Sequence, residues 1–391
     1  MNKLNIYLLT LGTFLIGTTE MIVAGIVHMI ADHFHITIAL AGQLVSAFSL
    51  VFAIGTPIIV TLTSRFDRKK VLLGTLSLFM LGNLISTWSP NFTVLLLSRV
   101  LLGISAGVFI VVATSVAAKL VPPEKMGNAV STVSIGFGTS LVLGVPLGIM
   151  ISQWLGWKLV FALLAILSLL ILIALVRLLP SLPGESPVPL KEQFSILKNR
   201  KIVGGLLIFL FLITGYGSAY TYLAPFLQET VQLDTSAISM AMLIFGAFAL
   251  IGTKVGGIGA DQWGTVKTII SSIVIHVIAL ILLPLFTGTI YGTLIVAAIW
   301  IGAANITIPA LQTYFIQQAP RSSDLALSAS SSIAQLGLAI GAGLGGITVN
   351  SLGATVYNPW ISSIVVLLGL CVAWVTFIKQ KHFIWQSPQN R

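Results

Sequence analysis

Charge is what this sequence has least of. Asp, Glu, Lys and Arg together make up 8% of its 391 residues, while hydrophobic residues make up 57%. Soluble domains run at about a quarter charged, and a chain this apolar cannot hide its surface in one water-facing core, so a soluble fold is excluded. Acid is scarcer than base, ten residues against twenty. The basic excess sits in short breaks between apolar runs rather than in an arm or on one patterned face, which argues against nucleic acid as a partner. Only one cysteine is present, Cys371, which excludes a disulfide within the chain and a cysteine metal cluster. What is abundant is long apolar stretches. Each approaches the ~20 residues needed to cross the ~30 Å hydrocarbon layer, so lipid is the expected solvent and the bilayer a partner.

The breaks divide the chain into twelve expected helices, at 6–27, 38–62, 71–89, 92–118, 126–150 and 157–179, then 202–226, 237–259, 266–286, 290–315, 323–348 and 357–378. The first is read as a retained span, because it is longer than a signal-peptide core and has no small-residue cleavage site. With a cytoplasmic N-terminus, the inner segments and helix ends hold Lys3, Arg65, Arg68, Lys69, Lys70, Lys119, Arg177, Arg200, Lys201, Lys254 and Lys267, among others, and the outer segments hold only Lys158. That asymmetry places both termini in the cytoplasm. The prolines from Pro180 to Pro189 interrupt the longest break. The expected domains are therefore 1–179, a linker at 180–201 and 202–391. Leu190 to Lys201 reads either as an interfacial helix, with Leu190, Phe194 and Leu197 on one side, or as a solvated linker.

Six spans, a linker and six more suggest duplication. Gly257 to Gly264 (GIGADQWG) follows the eighth span where Val60 to Asp67 follows the second, and the fifth and eleventh spans are both glycine-rich. Glycine at that density serves either close packing alone or close packing with sliding, as in transporters that rock. Arg65, Arg68 and Lys69, SRVLLGISAG at Ser98 to Gly107 and GVPLG at Gly144 to Gly148 resemble stretches of the major facilitator superfamily, in its twelve-helix drug:proton antiporter branch. GTTEMIVAGI at Gly17 to Ile26 and AGQLVSAFSL at Ala41 to Leu50 resemble the bacterial subgroup of purine base and nucleoside efflux pumps and arabinose-type sugar efflux proteins. The resemblance implies an all-α membrane fold of two pseudo-symmetric six-helix bundles in the bacterial inner membrane. It also implies a monomer driven by the proton gradient without a cofactor, exporting a small organic solute. One departure stands out: the loop signature GxLaDRxGRK reads VTLTSRFDRK here, with Ser64 for the acid and Asp67 for the later glycine, so a cytoplasmic charge latch in the first half is in doubt. In the second half Asp261 and Gly264 keep the pattern, but Gln262 replaces its arginine. Gly144, Pro146 and Gly148 are the other expected conformational positions.

Of the ten acids only Glu20 lies well inside a span, and Arg99 is the one base at comparable depth. A carboxylate in hydrocarbon is costly to keep ionised, which suits a group that takes up and releases a proton. The alternative is a packed, permanently protonated acid. Glu20 and Arg99 fall at similar depth, so they are either a pair made and broken during coupling or a static salt bridge; the resemblance implies a relay role for the arginine. In the second half Tyr216, Tyr220, Asn305 and Gln335 are polar, uncharged and near mid-span; Gln43 on the second span and Gln312 on the tenth lie closer to helix ends. Rings and amide edges suit a planar heterocycle, and the same groups serve equally as interhelical glue. His28, Asp32, His33 and His35 read as a solvated outer loop rather than a metal site, His276 as a packed neutral histidine, and Trp154, Trp157 and Lys158 as an interfacial belt. No metal and no catalytic residue set is expected, since a lone Glu20 and Arg99 do not make an enzyme site. Drugs, sugars and amino acids stay open as cargo, and a non-transporting receptor is the alternative of another class.

Overall fold

The computed structural model describes residues 2–122, 126–184, 198–319 and 323–384, which form helices and turns without a strand. Twelve helices among them are long and apolar enough to cross a membrane. We number them α1 (Asn2–Phe34), α2 (Ile38–Thr63), α3 (Arg68–Thr87), α4 (Phe92–Lys119), α5 (Met126–Thr139, continued by a π turn Ser140–Gly144 and Val145–Leu155) and α6 (Trp157–Leu178). The second set is α7 (Arg200–Thr221, with a short helix Leu223–Val231 behind it), α8 (Thr235–Gln262), α9 (Thr265–Leu282), α10 (Ile290–Gln318), α11 (Ser323–Leu352) and α12 (Asn358–Ile384).

Short polar residues set the boundaries by capping the free N–H groups of the first turn. Thr37 accepts from the Leu40 N–H, Asn91 from Val94 and Asp234 from Ala237, at 3.1, 3.0 and 2.7 Å. Two expectations need correction here. α1 does not stop at Val27 but runs on to Phe34, so His28, Asp32 and His33 belong to its last turns instead of a loop. No glycine or proline intervenes before residue 34, and His28 is buried. Trp157 is no interfacial anchor either; it is 5% exposed and packs edge-on against His33 and Phe161, while Trp154 stays exposed. Lys158 donates to the Ser89 carbonyl at 3.2 Å beside that ring. The proposed interfacial helix at Leu190 falls outside the described residues up to Lys198; from there Asn199 caps α7.

Each half repeats the same packing: α2 on α4 and α8 on α10, α1 on α5 and α7 on α11, α3 on α6 and α9 on α12. Glycine makes the matching crossings close. A methyl group at Gly136 of α5 would fall on the Thr10 carbonyl of α1, and one at Gly341 of α11 on the Thr214 carbonyl of α7. The halves meet through α2 on α11 and α5 on α8. The start of α1 and the end of α12 lie at one end, called the termini end below, and the hydrogen bonds described here between the halves run from mid-span to the far end. Ser46 donates to the Ala339 carbonyl at 2.9 Å, Ser239 to Pro146 at 2.8 Å, and the Tyr222 hydroxyl sits between the carbonyls of Ala342 and Ala39.

Candidate functional site

The halves also touch through one ionisable side chain. Glu20 is buried on α1, and its Oε1 accepts a 2.9 Å hydrogen bond from Nε2 of Gln335 on α11. Its Oε2 and the Gln335 Oε1 are buried without a partner. The helices bring together residues 315 apart, one expected as a proton group and one as a ligand contact.

Arg99 is not the partner of Glu20. Its Nη1 donates to the Thr19 carbonyl at 3.1 Å, and its guanidinium carbon lies 4.7 Å from the centre of the Phe161 ring. Nε and Nη2 are buried and unpartnered. The arginine therefore reaches the backbone beside the acid and stays inside the first half, held by a carbonyl and the face of an aromatic ring. The expected pair, static or switching, is not formed in this structure.

In the second half an aromatic stack fills the centre. Tyr216 and Tyr220, one helical turn apart on α7, lie parallel at 5.1 Å, and Trp300 of α10 packs on Tyr216 at 5.7 Å. The Trp300 indole N–H donates to Nε2 of His276 on α9 at 2.8 Å. An accepting Nε2 leaves the proton of a neutral imidazole on Nδ1. His276 is packed as expected, but Trp300 and the bond that fixes its ring were missed; a buried indole needing an acceptor was the available signal. Asn305, one and a half turns beyond Trp300, is nearly buried and donates to the Ile301 carbonyl at 2.8 Å. Gln312 is exposed two turns farther towards the termini end.

Gln43 does not join these groups. It lies beside Gly346, eleven residues past Gln335 and so ~16 Å along α11, within the contact of α2 and α11 at the far end.

The loop motifs sit at the termini end. Asp67 caps α3 by accepting from the Lys70 N–H at 3.1 Å, and its other oxygen accepts from the Ser181 hydroxyl, a bond that holds its carboxyl below the usual range. Lys69 donates to the Val176 carbonyl, the Arg68 N–H donates to the Leu182 carbonyl at 2.9 Å, and Arg65 is exposed. These contacts tie the loop to α6 and the start of the linker. In the second half Gly264 takes the capping position with φ +87°, and Asp261 is exposed. Asp67 replacing glycine is thus a change of turn: a side-chain cap at φ −52° stands where the other half uses a left-handed glycine. Gly144 and Gly148 press on Thr18 and Ile22 of α1, and Pro146, with no N–H to give, stands two residues past the end of the π turn.

Two repeated six-helix halves, joined across a central seam that holds a buried acid, give the architecture of a membrane transporter. The chain belongs to the Major Facilitator Superfamily, whose family model matches residues 9–321 and again 206–390. It is 38% identical over 379 residues to the uncharacterised MFS-type transporter YbcL of Bacillus subtilis, with 97% of each chain covered. It is 28% identical to the inner membrane transport protein YdhP of Escherichia coli K12, covering 98% of both, and 27% identical to a probable sugar efflux transporter of Helicobacter pylori J99, covering 97% and 96%. Its fold matches the inward-facing, unoccupied structure of a bacterial homologue of the lysosomal transporter Spinster with a TM-score of 0.80, at 18% identity over 97% of this chain and 98% of that one.

Proposed function

We propose that this transporter is a proton-coupled exporter of a small planar solute, with purine bases or nucleosides as the favoured class. In this reading it lies in a bacterial inner membrane with both termini in the cytoplasm. The carrying observation is the Glu20–Gln335 contact, in which one hydrogen bond leaves two buried acceptors, Glu20 Oε2 and Gln335 Oε1, unsatisfied. One proton on Oε2 gives the carboxyl an O–H to donate to that amide oxygen, so acid and amide hold each other through two bonds. A proton arriving from outside then strengthens the link in the arrangement closed at the far end. Its loss to the cytoplasm leaves a carboxylate with one bond and weakens the link, as alternating access requires. Arg99 supports this from the α1 backbone beside the acid.

The solute reading rests on the stacked Tyr216–Tyr220 pair, whose flat faces favour a ring, and on uncharged amides at Asn305 and Gln312, which favour a neutral one. Sugar export is the second reading, favoured by the name of the Helicobacter pylori relative. The test is flux of labelled hypoxanthine, adenine, guanosine and arabinose in liposomes, with and without an imposed pH gradient. Gradient-driven flux of a purine that collapses in Glu20→Gln is the expected result. Purine flux indifferent to the gradient would remove the coupling, and arabinose flux alone would replace the solute.

A further inference from the structure

Away from the seam, a groove of about 390 Å³ opens between α7 and α12 at the termini end. Val203, Leu207, Val372 and Val375 make its walls apolar, and Arg200, the first residue of α7, stands at its mouth. From Arg200 to Leu207 the groove climbs seven residues, ~10 Å at 1.5 Å per residue, which keeps it within one leaflet of a ~30 Å hydrocarbon layer. Leu207, Val375 and Cys371 are exposed along it, so it faces outward from the bundle. Arg200 has no carboxylate partner among the described residues, and the neighbouring Lys198 and Lys201 are exposed. A slot one leaflet deep, oily along its length and cationic only at the headgroup level, complements a single molecule. The geometry points to a site for an anionic phospholipid, with an acyl chain between α7 and α12 and the phosphate on the Arg200 guanidinium. Arginine suits that contact because its planar fork offers a phosphate two parallel N–H donors. A zwitterionic lipid brings its own cation to the same place and gains less.

The sole cysteine of the chain lies in the groove and reports on its occupancy. The full-length protein in detergent is titrated with phosphatidylglycerol, with phosphatidylcholine of the same chains, and with glycerol 3-phosphate. Bound lipid is counted by native mass spectrometry, and Cys371 is alkylated in parallel with a maleimide. Phosphatidylglycerol should bind at about fivefold lower concentration than phosphatidylcholine, the worth of one basic residue at a membrane surface, and should slow alkylation. Glycerol 3-phosphate should do neither. Arg200→Gln should erase the preference for phosphatidylglycerol, and Val375→Trp, which fills the groove with Arg200 intact, should abolish lipid protection of Cys371. Solute flux in Arg200→Gln should stay at the wild-type level, since the site is remote from the seam. Equal binding of the two lipids by the wild type, a preference that survives Arg200→Gln, or a preference without protection of Cys371 would each overturn the site. If Val375→Trp does not fold, Arg200→Gln alone decides.

Discussion

In the first half two of the buried polar groups carry a formal charge when ionised, Glu20 and Arg99, and each is under-satisfied. In the second half two tyrosines and an indole bonded to an imidazole pack in a row from α9 to α7. The scaffolds match helix for helix, so the difference lies in what each repeat encloses. On the proposed function, an acid that changes charge would be kept short of partners, because full satisfaction would lock one protonation state. A surface that accepts a ring would be held rigid, because a loose aromatic gives up ordering entropy each time it binds. Gln335 is where the two designs meet: it belongs to the second half and answers to the acid of the first.

The contrast breaks most sharply if the acid is moved. Glu20→Gln should abolish gradient-driven uphill flux while leaving downhill solute exchange, and Glu20→Gln combined with Gln335→Glu should restore part of the uphill flux by placing the carboxyl on the other side of the same contact. A double variant as dead as the single one would tie coupling to α1 itself. Removing a ring from the second half comes next. Tyr216→Ala should raise KM about tenfold, within the ~1–3 kcal/mol that stacking on an aromatic contributes, with Tyr216→Phe near wild type; a lowered maximal rate at unchanged KM would deny the ring its part in binding. His276→Phe leaves the buried Trp300 N–H without an acceptor and should lower stability by about 1–3 kcal/mol, read as the thermal midpoint in detergent, while His276→Gln recovers most of it. The smallest effects distinguish the two turns. Gly264→Ala should destabilise by about 1 kcal/mol through its left-handed backbone, whereas Asp67→Gly, which keeps a turn-compatible cap, should change stability by only about a few tenths.

The twelve spans and the two-fold repeat were readable in the sequence because lipid imposes a length on every apolar run and polar caps punctuate them. The end of α1 was not, since His28, Asp32 and His33 look like a solvated loop until neighbours are known to bury His28 and stack on His33. Site residues were legible singly and not in pairs. Isolation in an apolar run marked Glu20, and mid-span polarity marked Gln335, but their contact joins helices at opposite ends of the chain, which no local pattern encodes. Depth alone suggested Arg99 for Glu20; rotation about the helix axis decided otherwise, turning the guanidinium to Thr19 and Phe161. Trp300 stayed hidden because the signal a buried indole gives, its need for an acceptor, does not say which residue of another helix meets it.

The π turn at Ser140–Gly144 bears on how the two repeats are to be compared. A π turn holds one residue more than the ladder around it, and one residue in a 3.6-residue helix is a rotation of about 100°. Matched to the uninterrupted helix α11, the stretch before Ser140 and the stretch after Gly144 require different registers. A gap-free alignment of the repeats must therefore misplace one side of GVPLG, and inheritance of a single inserted residue would have re-aimed Pro146 and Gly148 without disturbing Gly136, which seats the first part of α5 on α1.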